Sequence, residues 1–178
     1  MGIIIVNVME MVKKEIPVFE VYFKKNYGFC IPDKDTIETI KNFSNNILEI
    51  GAGTGLWANL LHSNGVKIIA TDLLNDIYTK YFQKYWMPIE KIDCVEAVKK
   101  YRDVEALMIV CPSPVDTTFF VKAIKEFRGN KVIIITDGNE LYFPDPEQSW
   151  KLSWDLVESK PLSSFPEKTH LFLLERKI

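Results

Sequence analysis

One stretch constrains this chain more than any other. Residues Ile47 to Leu61 read ILEIGAGTGLWANLL, with Gly51, Gly53 and Gly55 between an apolar run and an apolar helical pattern. A strand that turns into a helix over three glycines brings backbone close to whatever lies above it. Side chains there would fill that space or forbid the turn. The helix N-terminus also offers unpaired N–H groups to an acceptor on a ligand. In open α/β sheets such ligands sit outside the carboxyl ends of the strands.

The spacing narrows the choice of ligand. A dinucleotide fingerprint reads GxGxxG, and its third glycine lets the helix pack closely. Here Leu56 holds that position and the third glycine comes one residue earlier. The pattern is ExGxGxG, with Glu49 at the strand end. A carboxylate there is unfavourable beside pyrophosphate and favourable beside an ammonium or sulfonium. Asp72 closes the next strand, KIIATD. Its distance from the glycines suits NAD-type ribose binding, and an ordinary loop acid is the other reading.

Strand and helix signals alternate through the rest of the chain. IPDKDTIETIKNF reads as a helix entered at Pro32 and capped by Asp33, with Ile37, Ile40 and Phe43 at helical spacing. The helix after the glycines carries Leu56, Trp57, Leu60 and Leu61 on one face and ends at Gly65, a left-handed C-terminal position. NDIYTKYFQKYW is helix-like, and MPIEKID holds a weak third strand. CVEAVKKY is a short helix with Asp93 as N-cap and Glu96 three residues on. EALMIVC and KVIIIT are continuous apolar runs, as in strands covered on both faces. Between them DTTFFVKAIKEFRG is an amphipathic helix capped by Asp116 and closed by Gly129. After the Pro-rich YFPDPEQSW, strands around KLSWDLV and THLFLLER flank KPLSSFPEK, which is too short for a crossover helix, so they pair antiparallel. Right-handed crossovers make the first part a doubly wound, mostly parallel sheet, closed by a C-terminal antiparallel hairpin.

The 178 residues, 47% of them hydrophobic and 26% charged, fit a single domain spanning 1–178. The net charge of −2 gives no chain-wide basic field for nucleic acid. Cys30, Cys94 and Cys111 are odd in number and far apart, and His62 and His170 are isolated. We expect neither a disulfide framework nor a metal site, and a cytoplasmic setting. The start, MGIIIVNVMEM, lacks the basic n-region of a signal peptide, and no apolar run reaches bilayer length.

The ExGxGxG segment resembles motif I of the class I S-adenosylmethionine-dependent methyltransferases. The resemblance implies a Rossmann-like seven-stranded sheet of order 3-2-1-4-5-7-6. It implies that Gly51, Ala52, Gly53 and Gly55 run under the methionine part of the cofactor and that Glu49 holds its amino group. It implies that Asp72 and Leu73 meet the ribose, and that Asp93 and Cys94 meet the adenine. Asp93 also reads as a plain helix cap. Within that family, GFCIPDKDTI and GAGTGLWANLL look like those of short, uncharacterised methyltransferase-like proteins. Where those carry Trp-Pro-Pro after strand four and a Gly-Glu-Gly loop after strand five, this chain has Cys111-Pro112-Ser113-Pro114 and Thr136-Asp137-Gly138.

Cys111, Pro112 and Ser113 are therefore the substrate-side candidates, and Asp137 is the nearest candidate for a general base. CPSP lacks the acid or amide and the aromatic of base-methylating enzymes, so the expected acceptor is a small molecule or a protein. We expect no nucleic-acid or membrane partner. Trp57 reads as core, His62 as a solvent-facing helix end, His170 as structural, and Lys99, Lys100 and Arg102 as a solvated helix end. The first 30 residues, with Phe19, Tyr22, Phe23, Tyr27 and Phe29, read as a cover for the cofactor, as core packing or as a dimer surface. The expected activity is methyl transfer. A catalytically silent binding module is the alternative, and a small NAD(P)-dependent oxidoreductase is a third reading, disfavoured by Leu56.

Overall fold

A computed structural model describes residues 26–28, 30–74, 84–112, 118–137, 150–162 and 169–178. In chain order the elements are α1 (Lys34–Phe43), β1 (Asn46–Ile50), α2 (Leu56–Ser63), β2 (Lys67–Asp72), β3 (Glu90–Lys91) and α3 (Cys94–Lys100). β4 (Ala106–Val110), α4 (Thr118–Glu126), β5 (Lys131–Asp137), α5 (Trp150–Ser153), β6 (Trp154–Pro161) and β7 (Thr169–Arg176) follow. They build one seven-stranded sheet of order β3-β2-β1-β4-β5-β7-β6. β3, β2, β1, β4 and β5 are parallel. β7 runs antiparallel to both β5 and β6. This is the doubly wound sheet with a terminal hairpin that the alternation predicts.

Side chains alternate across each strand, which explains the continuous apolar runs. In β4, Ala106 and Met108 join Ile37, Ile40, Trp57 and Leu61 of α1 and α2. Leu107 and Ile109 face the other way, onto Ala97 and Val98 of α3 and Phe120 of α4. Helices thus cover both faces, and every position from Ala106 to Ile109 is buried. Asp33 caps α1 as expected, its Oδ1 accepting from Thr36 N–H at 2.6 Å. Gly65 takes the left-handed conformation past α2, with φ +88°.

At the sheet end away from the glycines, Lys131 Nζ lies 2.7 Å from Glu105 Oε1 and donates to Phe43 O at 2.7 Å. Ser44 Oγ donates to Glu105 Oε2 at 2.8 Å. The Lys131 ammonium, and then the Ser44 hydroxyl, hold the Glu105 carboxyl below its usual range. One lysine therefore joins the C-terminus of α1, where a cation is favoured, to the starts of β4 and β5.

Three local expectations are corrected. The strand expected from Lys151 begins at Trp154, after the helical turn of α5. Lys151 and Leu152 are exposed, whereas Trp154 is buried beneath the Arg176 guanidinium, 4.3 Å from its ring. Pairing starts where a side chain can be buried. The same strand runs on through Lys160 and Pro161, with Pro161 as its last residue on the sheet edge, where a missing N–H does no harm.

Gly129 does not close α4, which ends at Glu126, and its φ is not left-handed. A Cβ there would meet the Phe127 ring and, at 2.6 Å, the carbonyl oxygen of Glu105. The glycine serves a close backbone crossing. Gly129→Ala is expected to lower stability by about 1–3 kcal/mol through overpacking, measured by urea denaturation.

Asp116, Ser113, most of NDIYTKYFQKYW and the segment YFPDPEQS lie outside the described residues. Within that helix-like stretch, Lys84, Tyr85 and Trp86 are not helical. Among the described residues no helix is long and apolar enough to cross a membrane.

Candidate functional site

The carboxyl ends of β1, β2 and β4 meet beneath the glycine turn. After Ile50 the chain passes through Gly51, Gly53 and Gly55 with φ of +67°, +55° and +72°. Gly55 is the N-cap of α2 and supplies no side-chain cap; the N–H of Ala58, in the first turn, is taken by the Glu49 carboxyl instead. Gly55 has a second duty. A Cβ there would approach Ile89 Cδ1 to 2.7 Å and Met87 Cγ to 3.2 Å, so the residue is small partly to seat the segment before β3.

The turn is held by β2. Ala52 N–H donates to Thr71 O at 3.0 Å, and Gly53 N–H donates to Asp72 Oδ2 at 2.8 Å. The other oxygen, Asp72 Oδ1, accepts from Leu74 N–H at 2.7 Å. Leu74 is itself left-handed, with φ +53°. Leu73 is exposed beside it.

Glu49 lies in the middle strand of this arrangement and is 1% exposed. Its Oε2 is buried and has no hydrogen-bond partner among the described residues. Burial pushes its carboxyl from 4.5 up to about 8; a backbone hydrogen bond from Ala58 opposes the rise, and the nearby charge of Asp72 adds to it. A buried acid with one free oxygen, at the floor of a cleft lined by Gly51, Ala52, Gly53 and Thr54, is suited to a cationic group. The residues present therefore fit the amino end of S-adenosylmethionine. A pyrophosphate fits less well, because it would bring negative charge towards Asp72 and would leave the Glu49 carboxyl without the cation that favours its ionised form.

The remaining predicted residues divide. Asp93 caps α3, its Oδ1 accepting from Val95 N–H at 2.9 Å and Glu96 N–H at 3.3 Å, as the sequence pattern implies. Cys94 Sγ donates to Phe119 O at 3.4 Å, so its thiol leans on α4. Cys111 lines the cleft with Glu49 and takes a left-handed φ of +44° immediately before Pro112, an uncommon conformation for a non-glycine residue. Asp137 is the last residue of β5 and pairs with Thr169. Its side chain is outside the described set.

Trp57 is both core and cleft wall. It is 4% exposed, and its Nε1–H donates to Cys30 O at 2.8 Å. His62 is exposed near the end of α2, and His170 stacks on Phe172 with ring centroids 6.1 Å apart. Lys99, Lys100 and Arg102 are exposed, as expected of a solvated helix end, and Lys100 makes a surface ion pair there. Its Nζ lies 2.6 Å from Glu90 Oε1, and Tyr101 donates to the same carboxylate.

One wall of the cleft comes from the end of the N-terminal segment that the sequence offers as a cofactor cover: Tyr27, Gly28 and Cys30 line it. What the sequence does not disclose is how that wall is held. Tyr27 stacks on Trp86 at 5.5 Å, Trp86 Nε1–H donates to Asn26 O, and Trp86 N–H donates to Thr54 O. Nothing local in the sequence links residues 26–28 to Trp86. An aromatic pair separated by so much chain carries no periodicity or cap signal.

The arrangement also matches solved structures. A ribosomal protein L11 methylase from Lactobacillus delbrueckii subsp. bulgaricus superposes with a TM-score of 0.52 at 17% identity, over 85% of this chain and 83% of that one. The magnesium protoporphyrin IX methyltransferase ChlM of Synechocystis PCC 6803, with bound S-adenosylmethionine, gives 0.55 at 9% identity over 97% and 96%. The fold is that of the class I methyltransferases. The tRNA methyltransferase TrmK of B. subtilis shares this methyltransferase fold as well, at a TM-score of 0.56 and 14% identity, over 79% of this chain and 65% of that one. No protein-family model matches the sequence, and no curated protein matches it.

Proposed function

We propose that this methyltransferase-fold protein binds S-adenosylmethionine in the glycine cleft and transfers its methyl group to a small-molecule or protein acceptor. The observation that carries the reading is Glu49: a buried carboxyl with a free oxygen at the cleft floor. When bound, the cofactor supplies a methyl group already activated on a sulfonium. Glu49 holds the amino group. Gly51, Ala52, Gly53 and Gly55 leave room for the methionine chain. Asp72 and Leu73 take the ribose, and Asp93 and Cys94 take the adenine. Cys111 and Pro112 face the acceptor, and Ser113 is assigned to the same substrate side. Because the methyl group arrives activated, the chain's work is alignment and exclusion of water rather than strong acid–base chemistry. Asp137 is the base we assign where the acceptor must lose a proton.

A thermal-shift comparison of S-adenosylmethionine, S-adenosylhomocysteine, NAD and NADP tests the cofactor. The first two are expected to stabilise the protein by about 4 kcal/mol at a thousand-fold excess over Kd, and the nucleotides by nothing. Stabilisation by NAD or NADP alone would replace the reading with the oxidoreductase one. For the acceptor, tritiated cofactor is offered to total RNA, genomic DNA and a small-molecule-plus-protein extract. Support for the assignment comes from the negative net charge and from the CPSP turn, which offers no group to accept from an exocyclic amine. Label in a nucleic-acid pool that disappears in an Asp72→Ala variant would overturn the acceptor class. Tight cofactor binding with no label anywhere would leave a binding module.

A further inference from the structure

The end of β2 does more than present an acid. Both oxygens of Asp72 are engaged by backbone N–H groups of this chain, one from Gly53 and one from Leu74. Those donors belong to two separate segments, and both segments are left-handed there. For Leu74, which has a Cβ, that conformation is unfavourable, so something must hold it. The backbone repeats the link to the glycine turn, since Ala52 N–H donates to Thr71 O. A carboxylate accepts at both ends and keeps a further lone pair on each oxygen.

We propose that Asp72 is a positioning residue for the glycine turn: its carboxylate fixes the Gly53 peptide and the Leu74 turn before ligand arrives. The spare lone pairs are left for the ribose hydroxyls, a part of the argument that rests on the cofactor reading above. The same oxygens thus couple the shape of the methionine subsite to occupancy of the ribose subsite.

The consequence is specific to chemistry rather than to charge. Asparagine keeps the shape of aspartate but turns an NH₂ donor towards one of the two N–H donors. A residue that met only ribose hydroxyls would tolerate this, because hydroxyls both donate and accept. A residue that also positions the turn would not.

The test has two arms. In the ligand-free protein, hydrogen exchange at the Gly53 amide is expected to be slowed at least tenfold relative to an unstructured peptide. Asp72→Asn and Asp72→Ala are expected to remove that protection while the β1 and β4 amides keep theirs. An unprotected Gly53 amide in the wild type, or protection that survives Asp72→Asn, overturns the proposal. If neither variant folds, the wild-type measurement decides.

In the second arm, S-adenosylhomocysteine is compared with its 2′,3′-dideoxy analogue by calorimetry. Loss of fivefold or more in affinity for the dideoxy ligand on Asp72→Asn supports positioning, since no hydroxyl is there to be lost. Unchanged affinity for that ligand shows a ribose role alone and overturns it. A wild type that binds neither ligand defeats the cofactor reading, while the exchange arm still decides the role of Asp72.

Discussion

Glu49→Gln is expected to weaken S-adenosylhomocysteine binding by 30-fold or more while making the ligand-free protein more stable at alkaline pH. The two effects have one cause. In the free protein burial holds the Glu49 carboxyl at about 8, against 4.5 for an ordinary glutamate. Between those values the folded state keeps a proton that the unfolded chain has released. Stability therefore falls as pH rises through this window and levels off above about 8; the total is on the order of 5 kcal/mol. Glutamine cannot ionise, so its denaturation midpoint should lack that slope and exceed the wild type at pH 9. Parallel pH curves for the two proteins would show that Glu49 does not titrate there.

Binding runs the other way. A ligand ammonium needs the carboxylate, so below pH 8 the wild type must expel a proton as it binds, and affinity rises with pH up to that point. At pH 7 calorimetry in buffers of different ionisation heat should find about 0.9 proton released per ligand, and none for the glutamine variant. Removing one partner of a buried charge pair costs about 2–5 kcal/mol, which sets the 30-fold floor. Equal affinities would remove Glu49 from the site.

This coupling shows what sequence can and cannot disclose. That an acid precedes the glycines is plain in ExGxGxG. How deeply it is buried depends on strand parity, which sends Glu49 to the α2 side of β1, and on neighbours that only the sheet order supplies. Local chemistry was legible wherever a residue acts on its own turn. Asp33 and Asp93 cap the helices that follow them, and Gly65 ends α2, because caps and left-handed glycines work within one turn of chain. Gly129 shows the limit of the same rule. A glycine after a helical pattern reads as a stop, but this one is needed where Glu105 crosses. The bonds from Asp72 to Gly53, and from Trp86 to Asn26 and Thr54, join segments distant in sequence and left no local trace.

Strain collects where the proposed chemistry is. Among the described residues, the two non-glycine residues with left-handed φ are Leu74 and Cys111. Both follow the carboxyl ends of parallel strands, beside the cleft. A fold does not keep such conformations where nothing over-determines them, and functional clefts are where they gather. Here the determinant is visible for each. Asp72 accepts from Leu74 N–H, and Cys111 N–H donates to Ile135 O at 2.7 Å, which pins the turn after β4 to β5.

Gly53→Val tests whether the glycine turn is shaped for a ligand. Gly53 has φ +55°, donates its N–H to Asp72 and lines the cleft. A β-branched side chain in that conformation is strained, by about 2 kcal/mol. For a chain of this size that lowers Tm by roughly 4–8 °C, so a cooperative transition should survive. Binding should not survive: the two methyl groups would stand where the ligand chain must pass, and affinity for S-adenosylhomocysteine is expected to fall by more than a hundredfold. Gly53→Ala separates the two effects, because it brings similar backbone strain with less volume. It should share most of the fall in Tm but lose far less affinity than valine. If alanine and valine lose affinity equally, the turn's conformation matters and its clearance does not. If the valine protein has no thermal transition at all, Gly53 serves the fold, and the argument that it makes room for a ligand fails.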